Sequence, residues 1–175
     1  MSDTMTRATT ADFDAIWQLY KDVCENQKND QYGPDWTLGV YPTTSDIKTH
    51  LEAEELYVLW EDEVALAAMA VVPHEDPEYV NVPWPTRCLP DEVAVIHLIA
   101  VHPQARGRGL GLQMVQQAIR LAREEGKRVI HLDVIPGNLA ASRIYLQAGF
   151  GLVGTFKIFY EDTGLADFEM YECVL

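Results

Sequence analysis

Ten residues near the middle of the chain, H-P-Q-A-R-G-R-G-L-G at positions 102–111, combine the features of a phosphate-binding turn. Three glycines in five residues allow a tight backbone and leave no side chains in the way of a ligand. The segment opens an amphipathic helix, whose first amides lack partners within the helix and whose dipole favours an anion. Arg106 and Arg108 add positive charge. These residues predict a phosphate or pyrophosphate site, although a glycine-rich turn alone is a weak signal.

A second segment holds residues that could take part in chemistry. It spans positions 138–150 and reads N-L-A-A-S-R-I-Y-L-Q-A-G-F. Asn138 is a favourable helix N-cap, and Gly149 ends the predicted helix. Tyr145 falls on the apolar face of that helix, where its ring can pack while its hydroxyl reaches a cleft. The segment therefore predicts a capped helix that carries a tyrosine on its buried face.

Composition limits the classes of protein to which the chain can belong. With 175 residues, 48% of them hydrophobic and 23% charged, it fits one soluble domain over residues 1–175. The net charge of −14 argues against nucleic acid as a partner. Residues 104–143 differ from the rest, because they hold seven Lys and Arg against three Asp and Glu. This local excess of positive charge supports an anion site.

Signals for targeting and for metal binding are weak. No apolar run approaches the ~20 residues of a membrane helix, and the first residues, M-S-D-T-M-T-R, lack the apolar stretch of a signal peptide. The three cysteines are scattered and show no metal-ligand spacing. We therefore expect a cytoplasmic protein with no metal and no membrane partner.

The apolar pattern predicts the elements that must position these two segments. Val93–Val101 is a nearly continuous apolar run, typical of a central strand buried on both faces. The predicted order is β-α-α-β-β-β-α-β-α-β-β, which is an α/β protein with a mixed sheet and helices on its faces. Strands are predicted at 4–8, 56–60, 64–72, 93–101, 128–135, 152–159 and 167–174, helices from about Thr10, Ser45, Gly109 and Asn138, and irregular loops at 26–42 and 73–90.

Taken together, the two segments resemble motifs of the GNAT superfamily of acetyl-coenzyme A-dependent N-acetyltransferases. The first is similar to that family's R/Q-x-x-G-x-G/A loop through Arg106, Gly109 and Gly111. The second is similar to its N-x-x-A-x-x-x-Y-x-x-x-G-F helix through Asn138, Ala141, Tyr145, Gly149 and Phe150. Two spaced motifs in order are more specific than either alone. A Rossmann domain is disfavoured, because two antiparallel-looking strands precede the glycines.

The resemblance implies a central mixed sheet of six to seven strands flanked by about four helices. It also implies acetyl-CoA as co-substrate, held between the strand that ends at Val101 and the strand that ends near Ile135. The pantetheine arm would pair with the backbone of 99–101, and the pyrophosphate would take amides of 106–111, where two of the glycines leave room for it. The implied donor-site residues are Ile99, Ala100, Val101, Arg106, Gly107, Arg108, Gly109, Leu110, Gly111, Asn138 and Tyr145.

The resemblance further implies catalytic roles. Tyr145 matches a tyrosine that acts as general acid beside the coenzyme sulfur in many relatives. Many relatives also carry a glutamate base four residues before the position of Val101, where this chain has His97. A histidine with a pKa near ~6.5 can accept a proton directly or through water. The alternatives for the base are His131, which shares a strand face with Asp133, an acidic residue, and a water molecule.

The acceptor site is expected in the loops at 27–41 and 73–90 and in the last hairpin. Aromatic residues there could line a pocket, and acidic ones could attract a cationic amine: Trp36, Tyr41, Glu75, Asp76, Glu78, Trp84 and Tyr160. We expect transfer of the acetyl group to a primary amine of a small molecule by direct attack in a ternary complex. A peptide or protein amine, or a non-catalytic acyl-CoA sensor, is the alternative. A homodimer is plausible because the last strands need covering.

Overall fold

Seven strands form one mixed sheet in the computed structural model, which describes residues 4–29 and 34–175. They are β1 (Thr6–Arg7), β2 (Leu56–Glu61), β3 (Val64–Val72), β4 (Val93–Val101), β5 (Val129–Val134), β6 (Gly151–Tyr160) and β7 (Gly164–Val174). Their order across the sheet is β1-β2-β3-β4-β5-β7-β6. The central neighbours β4 and β5 run parallel, and the other neighbouring pairs are antiparallel.

Four α-helices in this part of the chain cover the two faces of the sheet. They are α1 (Phe13–Asn26), α2 (Thr44–Glu52), α3 (Leu110–Glu124) and α4 (Leu139–Ala148). The apolar faces of α3 and α4 share one buried cluster with the sheet, and those of α1 and α2 share another on its opposite face. The predicted fold class, with its seven strands and four helices, is therefore confirmed.

The differences from the predicted elements are local. Thr43, not Ser45, caps α2, because its hydroxyl accepts from the Asp46 amide at 3.1 Å while the Asp46 carboxylate accepts from the Thr43 amide at 2.7 Å. This reciprocal pair satisfies two amides at the helix start. Within the predicted loop 26–42, Gln27–Asn29 forms a short helical turn, and residues 30–33 lie outside the described part of the chain.

The sheet opens between β4 and β5. The two strands pair at three positions, and the last pair is Val95 with His131. Beyond that point β4 still pairs with β3, while β5 pairs with β7 on its other side. A bulge in β4 lies at the opening, where Leu98 has a φ of 58° and the register with β3 shifts. One backbone edge of β4 is therefore left without a neighbouring strand among the described residues.

Candidate active site

A cleft of about 1290 Å³ is lined by both strands at the place where they diverge. One group of lining residues comes from the second half of β4, the glycine-rich segment and α4. We call this group the donor side. A second group, the acceptor side, comes from the loop around Trp36, the start of the 73–90 loop and the β6–β7 turn. Because the two sides share one cleft, ligands held by each can meet at the split in the sheet.

The glycine-rich segment forms the start of α3. Gly107 and Gly109 have φ values of 80° and 76°, in the left-handed region that favours glycine. The first bond of the helix runs from the Gln113 amide to the Gly109 carbonyl at 3.0 Å. The amides of residues 110–112 therefore have no acceptor within the helix, and with the helix dipole they favour a bound anion.

Most of the donor-site residues implied by the resemblance line this cleft: Ile99, Ala100, Val101, Arg106, Gly107, Gly109, Leu110, Gly111, Asn138 and Tyr145. The backbone of 99–101 belongs to the part of β4 that β5 leaves unpaired. Asn138 caps α4, because its Oδ1 accepts from the Ala141 amide at 3.2 Å. The two sequence segments are thus brought together on one side of the cleft.

Two residues of the glycine-rich segment differ from expectation. The Arg108 side chain does not line the cleft, because its Nη2 donates to Oε1 of Glu61 at 2.9 Å. Its contribution to the turn is through its backbone. At Gly111, an added Cβ would lie 2.8 Å from Cδ1 of Ile144 on α4. A larger residue there would require the end of the Ile144 side chain to shift.

Tyr145 places a buried ring at the donor side. Its ring packs against Phe150 and Tyr171, with centroid separations of 5.5 and 6.1 Å. The hydroxyl has no hydrogen-bond partner within residues 4–29 and 34–175, and the residue lines the cleft. Burial, with a smaller contribution from the charge of Asp133, raises the pKa of this hydroxyl above its usual value of 10. The hydroxyl therefore keeps its proton at neutral pH and can donate it.

His97 is a mostly buried imidazole at the split. Its Nε2 lies 3.0 Å from Oδ2 of Asp76, which also lines the cleft. Burial lowers the pKa of His97, but the hydrogen bond to Asp76 and the charge of Asp133 outweigh it, so the pKa is raised above 6.5. Burial acts to raise the pKa of Asp76, but the bond and charge of His97 outweigh it and lower the pKa below 3.8. When neutral His97 donates its Nε2–H to Asp76, its Nδ1 is left as a proton acceptor.

Asp133 lies across the split from His97. The last paired residues are Val95 and His131, and His97 and Asp133 lie two positions further along their strands. Oδ2 of Asp133 accepts hydroxyl hydrogen bonds from Tyr79 at 2.5 Å and from Tyr160 at 2.6 Å. Sequence reasoning missed this cluster, because the two tyrosines are 54 and 27 residues away along the chain.

His131 lies outside the lining of the cleft, and its side chain is 1% exposed. Its Nδ1 is 2.7 Å from Glu75 and its Nε2 is 3.0 Å from Glu172. Trp84 stacks on it, with 3.5 Å between ring centroids and 5° between planes. Glu75 and Trp84, predicted at the acceptor, are likewise absent from the lining, and both contact His131 on β5 instead. His131, Glu75 and Trp84 therefore pack against one another outside the cleft, and their proposed roles in the site stay predictions.

Replacing His131 with alanine should lower the free energy of unfolding by about 3 kcal/mol, because it leaves buried Glu172 without its imidazole partner. Urea unfolding of the variant and the wild type measures the difference. His74 is exposed, so His74→Ala is the control and should cost less than about 0.5 kcal/mol. A loss for His131→Ala as small as that of the control would contradict this role.

The acceptor side holds the aromatic pair Trp36 and Tyr41, whose rings meet edge to face at 6.1 Å. The side-chain amide of Gln27 fixes Trp36 by bonding both its backbone carbonyl and its backbone amide. Tyr160 also lines the cleft, whereas Glu78 is exposed outside it. This part of the cleft therefore brings three aromatic side chains together with the Asp76 and Asp133 carboxylates.

Two further observations concern metals and membranes. Within residues 4–29 and 34–175, no group of three His, Cys, Asp or Glu side chains is arranged to hold a metal ion. No helix in the described ranges is long and apolar enough to cross a bilayer. The cytoplasmic location stays a prediction.

Comparison with known proteins gives a consistent match. A family model described as the Acetyltransferase (GNAT) family matches residues 13–150. An uncharacterised N-acetyltransferase of Methanocaldococcus jannaschii is 39% identical over 67 residues, which are 38% of this chain and 30% of that protein. The chain therefore matches about a third of the length of this curated relative.

Solved structures resemble nearly the whole chain. A GNAT-family acetyltransferase of Streptococcus agalactiae has a TM-score of 0.79 at 19% identity, over 98% of this chain and 95% of its own. The protein yncA of Salmonella typhimurium, solved with its cofactor acetyl-CoA, has a TM-score of 0.68 at 21% identity, over 98% and 93%. At these identities the likeness shows a shared fold.

Proposed function

Since the chain belongs to the acetyltransferase (GNAT) family, we propose that it moves the acetyl group of acetyl-CoA to a primary amine of a small molecule by direct attack in a ternary complex. The observation that carries the proposal is a single cleft lined by a helix start suited to an anion, a proton acceptor and a proton donor. These three groups are what acyl transfer from a phosphate-bearing thioester to an amine requires.

The donor side fits acetyl-CoA. The left-handed glycines and the first amides of α3 suit the pyrophosphate, and Arg106 lines the same part of the cleft. The edge of β4 at 99–101 offers backbone groups to an extended amide-bearing arm, as an exposed strand edge does for a peptide. The shared fold with yncA, which was solved with acetyl-CoA, supports this assignment. When bound, acetyl-CoA supplies the acetyl thioester.

The acceptor amine must lose a proton before it can attack. An alkylamine has a pKa near ~10.4, so its deprotonation at neutral pH costs roughly 4–5 kcal/mol. In our proposal the ammonium gives this proton to Nδ1 of His97, while Nε2–H stays bonded to Asp76. Asp76 thereby selects the tautomer of His97 that can act as the base.

Tyr145 balances the proton count on the donor side. As the nitrogen–carbon bond forms and the carbon–sulfur bond breaks, the tyrosine hydroxyl donates its proton to the departing sulfur. The raised pKa of Tyr145 keeps that proton in place until it is needed. The nitrogen loses two protons in all: His97 takes the first before attack, and the second, lost as the amide forms, passes to the Tyr145 phenolate. His97 then releases its proton to bulk solvent, which is the one net proton of the reaction.

A small acceptor is favoured by the construction of the acceptor side. Trp36 and Tyr41 are in ring contact, and Tyr160 is bonded to Asp133. These contacts give this part of the cleft an aromatic and acidic lining, which suits a short cationic amine. A peptide or protein amine is the alternative acceptor.

A thiol-release assay with acetyl-CoA tests the substrate class. We expect release above the enzyme-free rate with some members of a panel of small primary amines, and little release with peptides of matched amine concentration. Turnover confined to peptides would overturn the small-molecule assignment. Tight coenzyme A binding with no thiol release for any acceptor would favour the acyl-CoA sensor instead.

The last hairpin is the expected site of self-association. β6 is an edge strand of the sheet, and Leu152, Phe159 and Leu165 are 53%, 55% and 64% exposed. Covering such an apolar edge favours a homodimer. Light scattering should give twice the chain mass of 19.7 kDa. A mass of one chain at micromolar concentration would contradict this prediction.

A further inference from the structure

We propose that Asp133, held by Tyr79 and Tyr160, is the anchor for the positively charged nitrogen of the acceptor, so that the protein selects amines that are cationic in water. The inference rests on the proposed function and deepens it, because it assigns a specificity-determining residue and a charge class to the acceptor. It stands on three observations: the partners of Asp133, its position at the split, and the charges around it.

The partners of Asp133 fix its carboxylate without neutralising it. Both hydroxyl hydrogen bonds end on Oδ2, one from Tyr79 at 2.5 Å and one from Tyr160 at 2.6 Å. No Lys, Arg or His of the described chain lies within ion-pair distance of Asp133. Two neutral donors therefore hold a half-buried anion in one orientation, and Oδ1 is left available to a ligand.

The position of Asp133 relates it to the proposed chemistry. It lies at the same depth as His97 on the other side of the split, since each is two residues beyond the last strand pair. Both residues line the cleft. An ammonium that binds Asp133 is therefore delivered to the place where His97 can take its proton.

The other carboxylates that line the cleft differ from Asp133, because Asp35 and Asp162 are exposed and the remaining two are paired with histidines. Glu55 is bonded to His50 at 2.7 Å, and Asp76 is bonded to His97 at 3.0 Å. Asp133, by contrast, has hydroxyl partners alone, and its charge raises the pKa of both His97 and Tyr145. Because Asp133 favours a proton on His97 as well as on the bound amine, its effect on His97 offsets part of the cost of the transfer between them.

The test uses binding of a cation that cannot be acetylated. Calorimetry in the presence of saturating coenzyme A measures the affinity of the protein for an alkyltrimethylammonium ion, which binds without being turned over. We expect the wild type to bind this ion, and Asp133→Asn to bind it about 30-fold more weakly, because asparagine keeps the hydroxyl bonds but loses the charge. Asp91→Asn, an exposed change outside the cleft, is the matched control and should bind as the wild type does.

A second arm uses acceptors that react without a positive charge. Asp133→Asn should raise the KM of an alkylamine about 30-fold while the KM of an alkoxyamine, which is neutral at pH 7, changes less than twofold. The proposed role of Asp133 would be contradicted if the wild type and Asp133→Asn bound the quaternary ion with equal affinity. Equal rises in both KM values would contradict it as well. Loss of the proposed function would instead appear as absent thiol release in the wild type with intact coenzyme A binding.

Discussion

Replacing Tyr145 with phenylalanine should lower kcat about 100-fold, because it removes the proposed general acid and nothing else. The ring contacts with Phe150 and Tyr171 are apolar and survive the change. The hydroxyl has no partner within the described ranges, so its removal leaves no bond broken in the fold. Steady-state thiol release gives kcat, and calorimetry should give a coenzyme A affinity within twofold of the wild type.

Tyr171→Phe is the matched control for this experiment. Tyr171 packs against the same ring, but its hydroxyl donates to Glu169 at 3.1 Å and it does not line the cleft. The same atom is deleted outside the proposed site, so kcat should stay within twofold. If Tyr145→Phe turned over as fast as this control, the tyrosine would be a packing residue and another group would protonate the sulfur.

Replacing His97 with glutamine should lower kcat/KM about 100-fold at neutral pH. It should also remove the part of the pH dependence of kcat/KM that comes from titration of the imidazole. The base must be neutral to accept a proton, and the pKa of His97 is raised above 6.5. In the wild type, log kcat/KM should therefore rise with pH and level off above that raised pKa. A profile of His97→Gln that kept the same rise would show that a different group is the base.

The variant Asp76→Asn tests whether Asp76 positions His97, and the same pH profile of kcat/KM provides the measurement. The bond to Asp76 favours the protonated imidazole, whereas burial opposes it. Removing the carboxylate should therefore move the inflection of kcat/KM to lower pH and also lower the plateau, because the tautomer of His97 is no longer fixed. If the inflection of the kcat/KM profile stayed at the same pH and only the plateau fell, Asp76 would have a structural role and no influence on the protonation of His97.

The donor side could be predicted from the sequence because its determinants are local. The glycine spacing sets a backbone conformation within five residues, and the Asn138 cap and the Tyr145 face follow from helical periodicity. The strand before the glycines is an unbroken apolar run, which the structure places at the centre of the sheet. Local chemistry of this kind does not depend on distant partners.

The acceptor side depends on contacts between distant segments, and prediction there was less complete. His131 and Asp133 alternate on one strand, yet one is stacked under Trp84 and the other is bonded to Tyr79 and Tyr160. Nothing in the spacing of these residues distinguishes a buried structural imidazole from a carboxylate in the cleft. The path of the 73–90 loop decides between them, and that path follows from packing rather than from local propensity.

The measurement that tests the central claim most directly is a product analysis with acetyl-CoA and a small cationic primary amine. We predict that free coenzyme A thiol and N-acetylated amine appear in a one-to-one ratio, at a rate proportional to enzyme concentration and identified by mass spectrometry. Coenzyme A that binds in the cleft while no acetylated amine forms above the enzyme-free rate, across cationic and neutral amines and peptides, would contradict the account.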